Sequence, residues 1–167
     1  MKELVFAFDN AYIFIYNVRI MTRCFMMLKP GVLNRRHVGE VISRFEKKGL
    51  KLLGLKMMRI DMELAKKHYD VHADKPFFAD LVDFITSAPV VAMVWAGDDC
   101  IKIARKIIGA TSPVDAAPGT IRGDFCMHTN KNIVHASDSD ENAEREIKLF
   151  FDDEELFDWD DPLTQWI

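Results

Sequence analysis

The sequence predicts an α+β fold, a ferredoxin-like sandwich in which a four-stranded antiparallel sheet (βαββαβ) is covered by helices. Segments with strand and helix patterns alternate along the chain, with no internal repeat or low-complexity linker between them. Hydrophobic residues make up 49% of the 167 residues, which is enough for the core of one compact domain. We expect this domain to span residues 21–167 and residues 1–20 to form an extension of it.

The first three elements of the domain follow strand, helix and strand patterns. Residues 22–29 are a short apolar run that ends at a Pro-Gly turn, which predicts a strand. A helix follows and stops at Gly49, and residues 50–59 then alternate loosely as a strand does. The apolar residues at helical spacing are Val38, Val41, Ile42 and Phe45.

Two helices then precede the strongest strand signal. Asp61 can cap a helix that runs through about residue 69, and Pro76 can open another through about residue 86. The uninterrupted apolar run 90–95 predicts a buried central strand.

The last third of the domain predicts another helix, a long loop and a final strand. A helix capped by Asp98 or Asp99 is expected to end at Gly109. Residues 110–123 show no period, and loops of this length in compact domains are often functional. Residues 124–128 are predicted to be the last strand.

Residues 1–20 crowd aromatic and β-branched residues together, unlike the rest of the chain. Asp9 and Asn10 interrupt this run, which argues against a membrane span. Glu3, and the lack of a small-residue cleavage site, argue against a signal peptide. The alternatives are a short hairpin around Asp9 and Asn10, or translation that begins at Met21. We expect an accessory or spurious extension rather than a targeting segment.

Charge is distributed unevenly along the chain. The formal net charge is −4, which argues against a protein that coats nucleic acid by bulk electrostatics. Residues 137–161 hold twelve acidic and two basic residues, whereas residues 1–136 hold 20 basic and 14 acidic residues. An anionic ligand is therefore compatible with the sequence.

Cysteine usage indicates a reducing compartment. The three cysteines are widely spaced and form no CxxC pair, which argues against both a zinc site and a disulfide framework. Reduced thiols predict a cytoplasmic protein.

One histidine stands out as a candidate nucleophile, although a lone histidine is more often structural. His135 lies between a short apolar run and the start of the last helix, where Asp138 and Glu141 form a capping box for a helix through Phe150. Glu146 lies about two turns into that helix, where it could hold one imidazole nitrogen and leave the other free. The alternative for Glu146 is a solvated helix face.

A second group of residues could bind phosphate, although neither GxGxxG nor GxxxxGK[ST] occurs in the sequence. Arg105 lies late in a predicted helix, Thr111 near the start of the long loop, and Arg122 at its end. Guanidinium groups match phosphate oxygens, so these three side chains could form a polyphosphate clamp. The alternative is that each arginine pairs with a surface acid.

Several sequence blocks together identify a family. The block N-I-x-H-x-S-D-S around His135 is highly specific, and it occurs here together with P-G-T-I-R-G-D-F. The blocks are Lys29-Pro30, Pro76-Phe77-Phe78 and residues 89–95, 118–125 and 132–139. Through them, residues 22–167 resemble the nucleoside diphosphate kinase family, without insertion or deletion.

The resemblance implies a ping-pong transfer of the terminal phosphoryl group of ATP, or of another nucleoside triphosphate, to a nucleoside diphosphate through a phosphohistidine. His135 matches the phosphorylated histidine, Glu146 the acid that holds its ring, and Ser137 the serine that bonds this acid. Mg²⁺ is expected to be held mainly by nucleotide phosphates and water. The implied assembly is a homo-hexamer or homo-tetramer, with no membrane and no nucleic acid required.

The other matches concern nucleotide binding. Lys29 and Asn132 match the residues that hold the sugar hydroxyls, and Lys29 is also expected near the transferred phosphoryl group. Phe77 matches the aromatic residue on which the base stacks, and Tyr69 matches a tyrosine buried beside the histidine. The matches to phosphate-binding residues are Arg105, Thr111, Arg122 and His72.

Four positions depart from the family pattern. Gly31 follows Lys-Pro where an acid is usual, which could reshape the turn and the posture of Lys29. Thr129 replaces a valine beside the base, Val71 replaces an acid near the metal, and Ala136 replaces a glycine. Ala136 would be restricted if its φ were positive. Because none of these changes removes a chemical role, we expect an active kinase rather than a silent interaction module or a nucleotide sensor.

The tail 156–167 leaves two arrangements open. With Trp159 and Trp166, it could pack across a subunit interface or onto its own subunit.

Overall fold

A computed structural model describes residues 5–8, 11–14 and 21–162 of the chain. In the extension, β1 (Val5–Phe8) and β2 (Ala11–Phe14) pair as an antiparallel hairpin. This pairing agrees with the hairpin alternative for the extension. Some residues on which these expectations depended lie outside the described residues; they are Glu3, Asp9, Asn10 and Trp166.

The main sheet has four strands: β3 (Thr22–Leu28), β4 (Lys51–Met58), β5 (Val90–Gly97) and β6 (Val134–Ala136). Their order is β4-β5-β3-β6, and every neighbouring pair is antiparallel. Every residue of β5 is buried, as the apolar run predicts. The predicted α+β sandwich with a four-stranded antiparallel sheet is confirmed.

Helices cover both faces of this sheet. They are α1 (Val38–Lys47), α2 (Met62–His68), α3 (Phe78–Thr86), α4 (Cys100–Ile108), α5 (Ile121–Phe125) and α6 (Asp140–Phe150). Of the helices in the described residues, none is long and apolar enough to cross a membrane.

The sheet divides the core into two layers, because successive side chains of a strand point to opposite faces. Met26 and Trp95 pack in the layer formed with α1 and α4. Phe25 and Val94 pack in the layer formed with α2, α3 and α6. The pattern of a fully buried strand therefore has a direct cause, since β5 is covered on both sides.

The predicted last strand over residues 124–128 is wrong. Most of this range belongs to the short helix α5 or the turn after it, and Thr120 caps that helix by accepting a hydrogen bond from the Gly123 amide (3.1 Å). The last strand is β6, which has three residues and pairs with β3 so that Met27 lies opposite His135. Three residues are too few for an alternating pattern to stand out in a sequence.

Helix starts agree only in part with the predicted caps. Asp61 caps α2 by accepting a hydrogen bond from the Leu64 amide (2.8 Å), as predicted. α4 begins after Asp99, but the Asp99 side chain does not cap it. Thr22 of β3 instead accepts a hydrogen bond from the Cys100 amide (3.0 Å), so a residue distant in sequence satisfies this helix start.

The capping box predicted for Asp138 and Glu141 is also wrong. Ser139 is the N-cap residue of α6, and its hydroxyl accepts a hydrogen bond from the Asn142 amide (3.2 Å). Asp138 lies one position too early and accepts a hydrogen bond from the Asn142 side chain (2.8 Å). The start of α6 is thus fixed one residue later than the D-x-x-E spacing indicates.

The described part of the C-terminal tail packs on the edge strand β4 of its own subunit. The Phe157 amide donates a hydrogen bond to the Leu53 carbonyl (2.8 Å). The Trp159 indole N–H donates to the Leu52 carbonyl (2.9 Å). Of the two arrangements considered for this tail, residues up to 162 adopt the one within the subunit.

Candidate active site

His135 lies in the middle of β6, at the wall of a cavity of about 720 Å³. Ten of the eleven predicted site residues line this cavity, and the eleventh, Ser137, contacts one of them from behind. The ten are Lys29, Tyr69, His72, Phe77, Arg105, Thr111, Arg122, Asn132, His135 and Glu146.

The His135 ring is held from its buried side by Glu146. Its Nε2 lies 2.8 Å from Glu146 Oε1, and the Ser137 hydroxyl donates to Glu146 Oε2 at 2.5 Å. An ionised carboxylate only accepts hydrogen bonds, so Nε2 carries the proton and Nδ1 keeps a lone pair. Ser137 is fixed in turn, since its amide donates to the Phe25 carbonyl at 3.0 Å.

Glu146 is only 4% exposed, so the alternative of a solvated helix face does not apply to it. Ala143, Ile147 and Phe150 are buried on the same helix, at the spacing of one helical face. α6 therefore places a carboxylate within its apolar face, where its two oxygens are bonded by His135 and Ser137.

The backbone just before His135 is strained. Ile133 has φ of +50°, an uncommon conformation for a β-branched residue. The Val134 amide donates to the Asn132 carbonyl at 2.6 Å, which closes a tight three-residue turn. Strain of this kind persists only where the surrounding structure holds it in place.

Two basic residues hold this strained turn. The Lys29 amide donates to the Ile133 carbonyl at 2.8 Å. The Arg122 guanidinium donates to the carbonyls of Val134 (2.9 Å) and Gly109 (3.0 Å). The buried Arg122 therefore has a structural role that the sequence did not reveal, beside its place on the cavity wall.

The side chain of Lys29 faces the cavity. Its Nζ donates to Asn132 Oδ1 at 3.0 Å, so the two residues predicted to hold the sugar lie in direct contact. Burial, and then the nearby Arg122 charge, lower the pKa of Lys29 to about 8. Gly31 has φ of +91°, a conformation that glycine adopts without strain, and the turn leaves Lys29 in the cavity wall.

The other departures from the family pattern leave the cavity intact. Among described residues with positive φ, Ala136 is absent, so its methyl group introduces no backbone strain. Thr129 and Val71 both line the cavity, and Val71 is 58% exposed.

Sequence reasoning missed a buried histidine beneath the site. His68 of α2 is nearly inaccessible, and its Nδ1 lies 3.8 Å from Glu146 Oε1. Burial, followed by the neighbouring His135 and Lys29, lowers the pKa of His68 to about 2, so this ring is neutral. No sequence signal brings His68 to Glu146, because their proximity arises only when α2 packs beside α6.

Tyr69 lies next to His68 at the end of α2, with the two ring centroids 4.6 Å apart. Burial and the Glu146 charge raise the pKa of its hydroxyl to about 12. Within the described part of the chain, this hydroxyl is buried without a hydrogen-bond partner.

The opposite side of His135 is open and positively charged. Arg105 and Thr111 are exposed, and neither side chain has a hydrogen-bond partner among the described residues. Phe77 is 47% exposed at the cavity mouth, with the His72 ring 6.0 Å from its own. The arrangement can thus present a nucleophilic nitrogen to an anion and an aromatic face to a planar group.

Comparison with known proteins gives consistent matches. The family model described as nucleoside diphosphate kinase matches residues 22–156. A nucleoside diphosphate kinase of Microcystis aeruginosa is 55% identical over 147 residues, which cover 88% of this chain and 99% of that protein. One from Methanothermobacter thermautotrophicus is 56% identical over 147 residues, with 88% and 98% covered.

Solved structures match in the same way. A halophilic nucleoside diphosphate kinase from Halobacterium salinarum, in complex with CDP, superposes with a TM-score of 0.83 at 53% identity, covering 86% of this chain and 96% of that one. A nucleoside diphosphate kinase family protein from Babesia bovis gives a TM-score of 0.84 at 48% identity, covering 87% and 98%.

Proposed function

The chain belongs to the nucleoside diphosphate kinase family, and from this premise we propose that it transfers phosphoryl groups between nucleotides through a phosphohistidine on His135. It is a phosphotransferase that acts on nucleoside tri- and diphosphates. We assign the reaction to residues of the cavity described above. The observation that supports it best is the pair of His135 and the buried Glu146, with Nε2 bonded and Nδ1 left free.

In the first half-reaction, the Nδ1 lone pair of His135 attacks the terminal phosphorus of a nucleoside triphosphate such as ATP. The P–N bond forms as the P–O bond to the β-phosphate breaks, and the nucleoside diphosphate leaves. The imidazole then carries positive charge, which Glu146 stabilises through the Nε2 hydrogen bond. In the second half-reaction, a β-phosphate oxygen of another diphosphate attacks the same phosphorus, and the P–N bond breaks.

Positive side chains neutralise the transferring group. Arg105 and Thr111 reach the cavity from α4 and the long loop, with donors that no other described side chain uses. Arg122 has five N–H donors, and its bonds to backbone carbonyls leave some of them for phosphate oxygens. Transfer of this kind depends on positioning and charge stabilisation more than on covalent chemistry.

Phe77 supports weak discrimination among bases. Stacking is tolerant because every base has a π-face, and Phe77 stands exposed at the cavity mouth. Lys29 and Asn132, which touch each other, would bond the sugar hydroxyls common to all substrates.

The donor set of the cavity fits a Mg²⁺ ion that arrives bound to the nucleotide. Of the lining residues, the carboxylates are Asp80, Asp138 and Glu146, and Glu146 is already bonded by His135 and Ser137. Mg²⁺ keeps several waters and binds substrate phosphates readily, so no protein ligand is assigned. When bound, the ion would neutralise phosphate charge.

We further propose a cytoplasmic homo-hexamer or homo-tetramer, with residues 1–20 outside the kinase domain. The family match begins at residue 22, which supports this boundary. Within the described sheet, β4 is an edge strand whose Leu55 and Met57 side chains are exposed, as expected of a strand that meets another subunit. Light scattering on the purified full chain would distinguish four subunits, six subunits and a monomer.

Incubation with γ-labelled ATP tests the proposed function. The protein should become labelled through an acid-labile bond, and the label should pass to added GDP or CDP. His135→Ala should not label, whereas the matched control His37→Ala should label normally. If the wild type labels no better than His135→Ala, the proposal fails; labelling without discharge would contradict turnover.

A further inference from the structure

Three side chains at the buried side of His135 form a compact group of metal-binding atoms. One ligand atom from each of His68, His135 and Glu146 lies within 4.8 Å of the other two. Glu146 Oε1 is central, at 2.8 Å from His135 Nε2 and 3.8 Å from His68 Nδ1. The phosphoryl-transfer mechanism uses His135 and Glu146 but gives no role to His68.

His68 provides the second observation. Its side chain is only 1% exposed, and within the described residues neither ring nitrogen has a hydrogen-bond partner. Buried polar groups in folded proteins are nearly always bonded, so an unpartnered imidazole calls for an explanation. Its Nδ1 lies 3.8 Å from a carboxylate oxygen, as a second ligand of one metal ion could.

We propose that His68, His135 and Glu146 bind a single Zn²⁺ ion, with its fourth position open to the cavity. Two imidazoles and one carboxylate are a common zinc set when an open position is kept. Ligand bonds of about 2.0–2.2 Å in a tetrahedron place the ligand atoms roughly 3.3 Å apart. The observed separations bracket this value, so side-chain shifts of roughly 1.5 Å or less would complete the site.

The donor set distinguishes zinc from the magnesium that accompanies nucleotides. Imidazole suits Zn²⁺, whereas Mg²⁺ requires six oxygen ligands and loses its waters reluctantly. Lys29 and Arg145 lie close enough to act on His68 electrostatically, and their positive charges weaken the binding of any cation. The site is therefore one that exchanges zinc rather than one that holds it permanently.

Zinc at this position would inhibit the kinase by moving a proton. In the free enzyme, Glu146 keeps the imidazole proton on Nε2 and leaves the lone pair on Nδ1. When Nε2 of the neutral ring binds zinc instead, the single ring proton must be on Nδ1. The nucleophilic lone pair is then lost without oxidation, and removal of the metal restores it. This inhibition depends on the proposed function, but the metal site itself does not.

Calorimetric titration of the metal-free full chain with ZnCl₂, in buffer containing excess Mg²⁺, tests the site. The wild type should bind one zinc ion per chain, and His68→Gln should bind it at least tenfold more weakly. His37→Gln, a histidine stacked on Phe125 outside the cavity, should bind as the wild type does. Equal affinity in wild type and a folded His68→Gln would overturn the site, and so would the absence of stoichiometric binding.

X-ray absorption at the zinc edge of the wild type keeps the proposal testable even if His68→Gln does not fold. Two imidazole nitrogens and a carboxylate oxygen are expected, and any sulfur ligand would assign the metal to a cysteine instead. Zinc should also block phosphoenzyme formation reversibly, with recovery on addition of EDTA. Zinc binding without any phosphoenzyme would refute the kinase proposal alone, whereas a phosphoenzyme that forms equally with zinc present would refute the inhibition.

Discussion

The two sides of His135 are built differently. On the buried side, Glu146 accepts short hydrogen bonds from the His135 ring and from the Ser137 hydroxyl, and both Glu146 and Ser137 are buried. On the open side, Arg105 and Phe77 are exposed to solvent and available to a ligand. The first side fixes one ring nitrogen, and the second receives what the other nitrogen attacks.

This difference separates positioning from binding. A carboxylate already bonded before the reaction needs no reorganisation when charge develops on the imidazole, which is where fixed groups stabilise a transition state most. Arg105, which has no hydrogen-bond partner among the described residues, can in contrast bind a polyphosphate. Variants on the buried side should therefore reduce kcat with little change in KM, whereas variants on the open side should also raise KM.

The largest effect is expected for Glu146→Gln. An amide can donate to the ring and no longer enforces the Nε2–H tautomer, so kcat should fall roughly 10²–10⁴-fold. Steady-state kinetics with ATP and GDP measure this change. Glu144→Gln, on the same helix but in a surface pair with Arg23, is the control and should keep nearly full activity. If Glu146→Gln raised KM and left kcat unchanged, the buried side would not differ from the open side in the proposed way.

Substitutions of Arg105 and Arg122 should differ in their effect on stability. Arg105→Ala loses bonds to phosphate worth about 1.5–3 kcal/mol, which lowers kcat/KM roughly 10- to 100-fold and leaves the melting temperature unchanged. Arg122→Ala should lose comparable activity and also about 1–3 kcal/mol of unfolding free energy, because carbonyls that it bonds become unpaired. Calorimetric melting with kinetics on both variants tests this; equal stability losses would show that Arg122 does not hold the turn.

A smaller effect is expected for the base-stacking residue. Phe77→Ala should raise KM for purine and pyrimidine nucleotides alike, since stacking contributes about 1–3 kcal/mol per base. Phe77→Trp should restore binding, and Thr129→Val should change KM less than Phe77→Ala does. If KM rose for only one base, the cavity would recognise that base by hydrogen bonds rather than by stacking.

The smallest effect concerns the pH dependence of nucleotide capture. Lys29 has its pKa lowered to about 8, so it is charged below that pH and becomes neutral above it. Its charged fraction falls about fourfold between pH 7 and 8.5, and kcat/KM for ATP should fall on the alkaline side accordingly. Lys29→Arg stays charged and should flatten this limb of the profile. If kcat/KM of Lys29→Arg still fell at alkaline pH as in the wild type, the decline would belong to another group.

Much of the fold could be predicted from the sequence, because burial leaves strong local patterns. The run at β5 is apolar throughout since helices cover both faces of the sheet. β6 could not be predicted in this way, because its three residues are held by pairing with β3 across more than a hundred positions of sequence. The capping residue of α4 could not be predicted for a similar reason, since the Cys100 amide is bonded by the distant Thr22 rather than by Asp99.

In the candidate site too, features with a local sequence signal could be predicted and features without one could not. His135 lies in a short, characteristic block, whereas Glu146 and Arg105 were predicted from their positions in the predicted helices. Two features had no local signal: the packing of His68 against Glu146, and the bonds from Arg122 to backbone carbonyls. Both depend on elements that meet only in the folded chain.

The buried side of His135 decides which ring nitrogen reacts. ³¹P–¹⁵N correlation NMR of the phosphoenzyme, prepared from the ¹⁵N-histidine-labelled chain with ATP, measures this directly. We predict a single phosphohistidine with phosphorus bonded to Nδ1 of His135, and Nε2 still protonated toward Glu146. Phosphorus bonded to Nε2, or to another residue, would show that Glu146 does not direct the reaction to Nδ1.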